Sequence, residues 1–295
     1  MTDKQAITLF EVGPRDGLQN EAQHVSLADR LKLVEMLIES GLKAIEVGSF
    51  VSPKAVPQMA DTAALIDHLP RPEDVRYSAL VPNLKGVELA IKSQVNEIAI
   101  FASASQSFSQ HNIACSIEES FERFAPVMAK AKAVNMPVRG YLSCAFGCPY
   151  EGEVAIDAVV SVAQKLMEIG CYEVAISDTI GVATPQTTRD VMQVIIGEIG
   201  SGVTAAHFHD THGRALDNIK TCLELDVTTF DSAVAGLGGC PYAPGATGNV
   251  ATEAVVQMFD ALGLRCGVDL PKLAKAGAFI TNVLGPAKPL RTTRG

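Results

Sequence analysis

The segment Glu173-Val174-Ala175-Ile176-Ser177 is apolar and β-rich, and Thr184-Pro185 and a helical stretch ending near Gly200 follow it. Next comes Val203-Thr204-Ala205-Ala206-His207-Phe208-His209, a second run of strand type. Thr184 offers an N-cap and Pro185 a first-turn proline, so the order is strand, helix, strand. A helix that returns the chain to another strand implies parallel pairing through a right-handed crossover. The pattern extends outward in both directions. Residues 7–12, 44–48, 76–81, 97–101, 138–143 and 229–235 are further β-rich runs, which brings the total to eight strands. Between them, Ser26 is placed to cap a helix whose Leu27, Leu31, Val34, Leu37 and Ile38 share one face before Gly41. Ile156, Val159, Val160, Ala163, Leu166 and Met167 repeat the pattern up to Gly170. Eight strand–helix units predict an α/β fold, a (β/α)8 TIM barrel. A doubly wound sheet would place a glycine-rich phosphate turn after the first strand, where this chain has Glu11-Val12-Gly13-Pro14-Arg15-Asp16-Gly17. One domain over residues 1–295 is expected, with 237–295 forming a mobile loop that carries Cys240 and terminal helices at the barrel mouth.

The 295 residues carry 24 Lys+Arg against 33 Asp+Glu, a net charge of −9, with 47% hydrophobic residues. The charges are scattered and no basic stripe is present, so nucleic acid is excluded as a partner. The longest uncharged stretches are broken by Ser and Gln or by Gly and Pro, which excludes a membrane span. Without a signal or transit pattern at the N-terminus, a cytoplasmic setting is expected. The seven cysteines, an odd number, are expected to be reduced thiols. Cys144 and Cys148 fit neither a redox nor a zinc motif and are expected to be buried structural residues.

Three of the six histidines fall in Ala205-Ala206-His207-Phe208-His209-Asp210-Thr211-His212, at the end of the seventh strand. Alternation along a strand points His207 and His209 to one face, the barrel interior, where two imidazoles can share a metal ion. A pair of hydrogen-bonded core histidines is the competing reading, and it would need several buried partners. Two histidines are too few for a stable site. Asp16 follows strand one, which barrel closure brings within a strand of strand seven, and its carboxylate can reach the same cavity. Glu46 in strand two and Asp178 at the end of strand six are carboxylates in apolar surroundings, read either as structural ion-pair members or as groups lining the site. After strand eight, residues 236–249 hold a Gly- and Pro-rich loop. Pro241 and Pro244 argue against a phosphate cradle, Cys240 is expected near the barrel mouth, and Asn249 can offer a neutral oxygen.

Five strings carry a resemblance: Glu11 through Glu21 (EVGPRDGLQNE), Ser49 through Lys54 (SFVSPK), Gly147 through Gly152 (GCPYEG), Asp178 through Gly181 (DTIG) and Gly236 through Pro241 (GLGGCP). In this order, over nearly the whole chain, they resemble the 3-hydroxy-3-methylglutaryl-CoA lyase family. That family lies within a superfamily of metal-dependent lyases and Claisen-type synthases. The resemblance implies Mg²⁺ or Mn²⁺ held by Asp16, His207, His209 and Asn249. It implies catalytic roles for Arg15, Asp16, Glu46, Asp178, His207 and Cys240, and substrate contacts from Arg15, Ser49 and Tyr141. It further implies an acyl-CoA thioester substrate, no redox cofactor, a homo-oligomer of two or more subunits, and a place in leucine degradation and ketone-body formation. The implied reaction is retro-Claisen cleavage of 3-hydroxy-3-methylglutaryl-CoA. The alternatives are a lyase for a longer thioester of this type, or a synthase. Three departures stand out: Ala22 where Lys is common, Ala175 where Ser is common and His212 where Tyr is common. Loss of the hydroxyl at position 175 bears on the acyl chain accepted.

Overall fold

In the computed structural model, which describes residues 7–238 and 248–285, the predicted strands close into a ring. Strand β1 (Thr8–Glu11) pairs in parallel with β2 (Ala44–Ser49) on one side and β8 (Thr229–Ser232) on the other. Strands β3 (Arg76–Leu80), β4 (Glu97–Ser103), β5 (Val138–Ser143), β6 (Glu173–Asp178) and β7 (Thr204–Phe208) complete the barrel in chain order. Closure leaves no strand edge open, and the all-parallel ring requires a helical return between strands. Helices α1 (Leu27–Glu39), α2 (Thr62–His68) and α3 (Leu84–Lys92) make the first three returns. The fourth is shared by α4 (Gln106–Ile113) and α5 (Ile117–Ala133), and α6 (Ile156–Glu168), α7 (Pro185–Ile199) and α8 (Ala215–Leu223) make the rest. Helices α9 (Thr252–Ala261) and α10 (Leu270–Leu284) follow β8, and α10 packs on α1. Among the described residues no helix is long and apolar enough to cross a membrane.

The expected caps form. Ser26 Oγ accepts the Asp29 N–H at 3.1 Å and Thr184 Oγ1 accepts that of Thr187 at 3.2 Å, with Pro185 opening α7. Each such cap contributes about 1 kcal/mol. Strands β1, β3, β7 and β8 are each shorter than expected. A tight turn at Ser201–Val203 precedes β7, and β8 stops at Ser232 because Val234–Gly236 turns, with Ala235 at φ 55°. Strand β4 runs on to Ser103, beyond the expected end.

Strand alternation separates two cores. Ile98, Ile100, Leu142, Val174, Ile176, Ala206 and Phe208 face the helices in the main hydrophobic cluster. Their neighbours Ala99, Tyr141, Ala175 and Ala205 join Leu80 and Phe101 in a smaller cluster inside the ring. Ala175 thus stands in the inner wall beside Tyr141, whereas Ala22 is exposed. The ring is also filled by a buried cation: Arg139 donates to Glu173 Oε1 at 2.7 Å and to both oxygens of Asp231, and lies 4.2 Å from the centre of the Phe10 ring. With no acceptor of its own, the guanidinium needs this ring of oxygens to remain buried.

Candidate active site

Arg15 and Asp16 sit on a single π-helical turn, Gly13–Gly17, which leaves the end of β1 with Pro14 in its first positions. Its anchor is Glu11, the last residue of β1 and fully buried. Glu11 Oε1 accepts the N–H groups of Gly13 (2.8 Å) and Val234 (2.9 Å), and Oε2 accepts the Thr252 hydroxyl (2.7 Å). One carboxylate therefore joins the turn bearing Arg15 and Asp16 to the end of β8 and the start of α9. Burial pushes its pKa up to about 7 against the pull of those bonds. On the other side of the turn, Gly238 has φ +96°, and a Cβ there would stand 2.8 Å from Asn249 Nδ2 and 3.0 Å from Gly17 Cα. Only glycine fits that approach.

Asp16, His207 and His209 offer ligand atoms within 4.8 Å of one another. The Asp16 carboxylate accepts from Arg15 Nη1 at 2.6 Å and from Asn249 Nδ2 at 2.9 Å. Burial works against its charge, but Arg15, His207 and His209 outweigh it and hold the carboxyl far below the usual range. Burial, with His207 adding to it and Asp16 opposing, pulls His209 down to about 4. His209 is accordingly a neutral imidazole at physiological pH, the form that ligates a cation. Asn249 reaches the site by backbone pairing: it bridges His209, while Asp210 N–H donates to the Gly248 carbonyl (2.7 Å) and Val250 N–H to that of Phe208 (3.2 Å). Its amide nitrogen is spent on Asp16 and the Leu237 carbonyl, which leaves Oδ1 buried with no hydrogen-bond partner among the described residues. His209 Nδ1 is in the same state. Buried polar atoms are rarely left so, and a carboxylate, two imidazoles and an amide oxygen are a donor set that suits a divalent cation. The residues fit the group the sequence implied.

Arg15 donates through Nε to Glu46 Oε2 at 2.5 Å and lies 5.3 Å from the centre of the Tyr141 ring. Burial alone would weaken its charge, yet Glu46 and Asp16 more than offset it and keep the guanidinium protonated. Glu46 Oε1, the Tyr141 hydroxyl and the Ser49 hydroxyl are buried without partners among the described residues. Asp178 closes β6. Its oxygens accept the N–H groups of Val182 (3.0 Å) and Ala183 (2.8 Å), bracing the loop after β6, and burial raises its pKa to about 6 against those bonds. Both carboxylate oxygens are taken up by this loop. Cys240 lies outside the described residues. Cys144 and Cys148 are buried, the latter with its sulfur 2.9 Å from Ser105 Oγ and taking the N–H groups of Tyr150 and Glu151 at 3.4 Å. His212 is exposed on the turn after β7 and is not part of the cation-type group.

Three residues that bear on the site escape the sequence reading: Glu11, Arg139 and Asp231. Each is a charge at an inward or anchoring position of a strand, the same signal that pointed to Glu46. Asp231 accepts from His207 Nδ1 at 3.1 Å and links it to Arg139.

A closed (β/α)8 barrel with a candidate divalent-cation centre at the carboxyl ends of its strands defines the class: barrel enzymes whose chemistry lies at that face. The family called HMGL-like matches residues 6–280, and the chain belongs to it. The chain is 51% identical to the 3-hydroxy-3-isohexenylglutaryl-CoA/hydroxymethylglutaryl-CoA lyase of Pseudomonas aeruginosa, covering 98% of this chain and 96% of that one. It is 50% identical to the hydroxymethylglutaryl-CoA lyase of Pseudomonas mevalonii, over 97% and 95%. The crystal structure of hydroxymethylglutaryl-CoA lyase from Pseudomonas aeruginosa superimposes with a TM-score of 0.94 at 51% identity, over 97% of this chain and 95% of that one.

Proposed function

We propose that this protein is a carbon–carbon lyase that cleaves 3-hydroxy-3-methylglutaryl-CoA to acetoacetate and acetyl-CoA, using Mg²⁺ or Mn²⁺. The observation that carries the reading is the convergence of Asp16, His207 and His209 beside a buried, permanently charged Arg15. Asp16, His207, His209 and Asn249 Oδ1 would hold the ion, which when bound lowers the pKa of the tertiary hydroxyl. Asp16 takes the hydroxyl proton, because the Nδ1 hydrogen of His207 goes to Asp231 and its Nε2 lone pair to the ion. The C3–O bond becomes the acetoacetate ketone, the C2–C3 bond breaks, and its electron pair moves into the thioester enolate of the departing acetyl-CoA. Arg15 faces the enolate oxygen and stabilises charge that exists only as the bond breaks. The enolate carbon then needs a proton, which the Cys240 thiol supplies in this reading. Glu46 fixes the Arg15 guanidinium through Nε, and Ser49 and Tyr141 offer hydroxyls to the substrate.

The test is acetoacetate release from 3-hydroxy-3-methylglutaryl-CoA by chelator-treated protein, with and without added Mg²⁺ or Mn²⁺. Release that depends on the added ion is expected. No release with either ion, or full release in excess chelator, overturns the proposal.

A further inference from the structure

Among the described residues the partner of His207 Nδ1 is Asp231 Oδ2, at 3.1 Å. Asp231 is 2% exposed and stands on β8 directly across from His207 in the β7–β8 register. Its orientation is fixed from behind: Arg139 Nη2 donates to Oδ1 at 2.7 Å and Nη1 to Oδ2 at 3.1 Å. Glu173 holds Arg139 Nε at 2.7 Å. A guanidinium has donors only, and an ionised carboxylate acceptors only. Facing Arg139, Asp231 can only accept, so the bond to His207 requires a hydrogen on Nδ1. A neutral imidazole protonated at Nδ1 keeps its lone pair at Nε2.

We infer that Asp231, locked by Arg139, is a positioning residue for the cation site: it holds His207 in the Nδ1–H tautomer and reserves Nε2 for coordination beside Asp16 and His209. The inference rests on the cation-site reading above. An amide in place of the carboxylate reverses the direction of the bond. In Asp231→Asn the amide oxygen turns to the Arg139 donors and the NH₂ group faces His207, which must then accept at Nδ1 and carry its proton on Nε2. The shape is kept, while the tautomer changes, the Arg139 Nη1 bond to that atom is lost and one buried negative charge is removed, a loss of charge that Glu173→Gln reproduces on the same guanidinium.

Two measurements on the full chain test this. Mn²⁺ binding to chelator-treated protein, followed by loss of the free-ion paramagnetic resonance signal, should weaken about 10–100-fold in Asp231→Asn, the range typical for partners behind a metal ligand. Glu173→Gln removes the other carboxylate on Arg139 without touching a histidine and should leave Mn²⁺ affinity at the wild-type value. Imidazole ¹⁵N resonances of the ion-free wild type, with His207 assigned by His207→Gln, should show the proton on Nδ1 and need no Asp231 variant. A wild-type His207 protonated on Nε2 overturns the inference, as does Mn²⁺ affinity unchanged in Asp231→Asn or equally weakened in Glu173→Gln. A wild type that binds no Mn²⁺ overturns the cation-site reading itself.

Discussion

Asp16→Asn and His209→Ala should each lose activity through loss of the ion, because each removes one of four protein donors to a hard cation. Elemental analysis of the purified variants checks this, and full occupancy in both would place the site elsewhere. Arg15→Gln behaves differently. Its partner Glu46 still meets a donor, and ion binding should persist, but kcat should fall by well over tenfold, a loss above roughly 1.4 kcal/mol, while KM changes less. A kcat within about tenfold of wild type would leave the enolate without its counter-charge and end that role. At this scale His207, His209 and Asp16 are legible in the sequence, because alternation fixes which strand residues share a face whatever their partners are. Asp231 and Arg139 are not. The bond between Asp231 and His207 spans 24 positions and that between Arg139 and Asp231 spans 92, and barrel closure alone brings either pair together.

The turn Gly13–Gly17 is the element on which the site depends, and Glu11 anchors it to the end of β8 and the start of α9. A carboxyl whose folded pKa is raised to about 7, above the ordinary 4.5, favours the protonated native state. Its contribution is therefore greatest below pH ~4.5 and is lost as pH rises through about 7. The loss is on the order of 3 kcal/mol. Glu11→Gln keeps an oxygen for Gly13 and Val234, and its NH₂ can donate to Thr252, whose hydroxyl already lies 2.9 Å from Ser232 Oγ. The variant should match the wild type in urea unfolding near pH 5 and exceed it near pH 8. An equal pH slope in both proteins would show that Glu11 stays ionised in the fold. Caps and strand centres at this scale follow from local chemistry: Ser26 and Thr184 act where their side chains can reach their own helix. The ends of β7 and β8 do not, because the turns at 201–203 and 234–236 are set by packing against distant segments.

Across the whole molecule, the alternation of eight strands with helices is enough to imply the closed ring, since parallel neighbours leave few other ways to bury both faces. The docking of α10 against α1 has no such signature. Both are amphipathic, and nothing in either pattern names its partner. The contact is made at Gly41, which ends α1 at φ +100° and packs against the Gly267 carbonyl so closely that a Cβ would collide with it. The Asp269 N–H, at the head of α10, donates to the Ser40 carbonyl at 2.7 Å. Gly41→Ala must distort both the left-handed residue and the approach of residues 267–269, at a cost of about 1–3 kcal/mol. Ile280→Ala, at a fully buried position of α10, should cost about 2–5 kcal/mol. Neither change touches the ring interior, so Mn²⁺ affinity of the folded protein at 25 °C should remain at the wild-type value while Tm falls in both. If either variant weakened Mn²⁺ binding at a temperature where it is fully folded, α10 would be coupled to the site, and the barrel alone could not be what holds Asp16, His207 and His209 together.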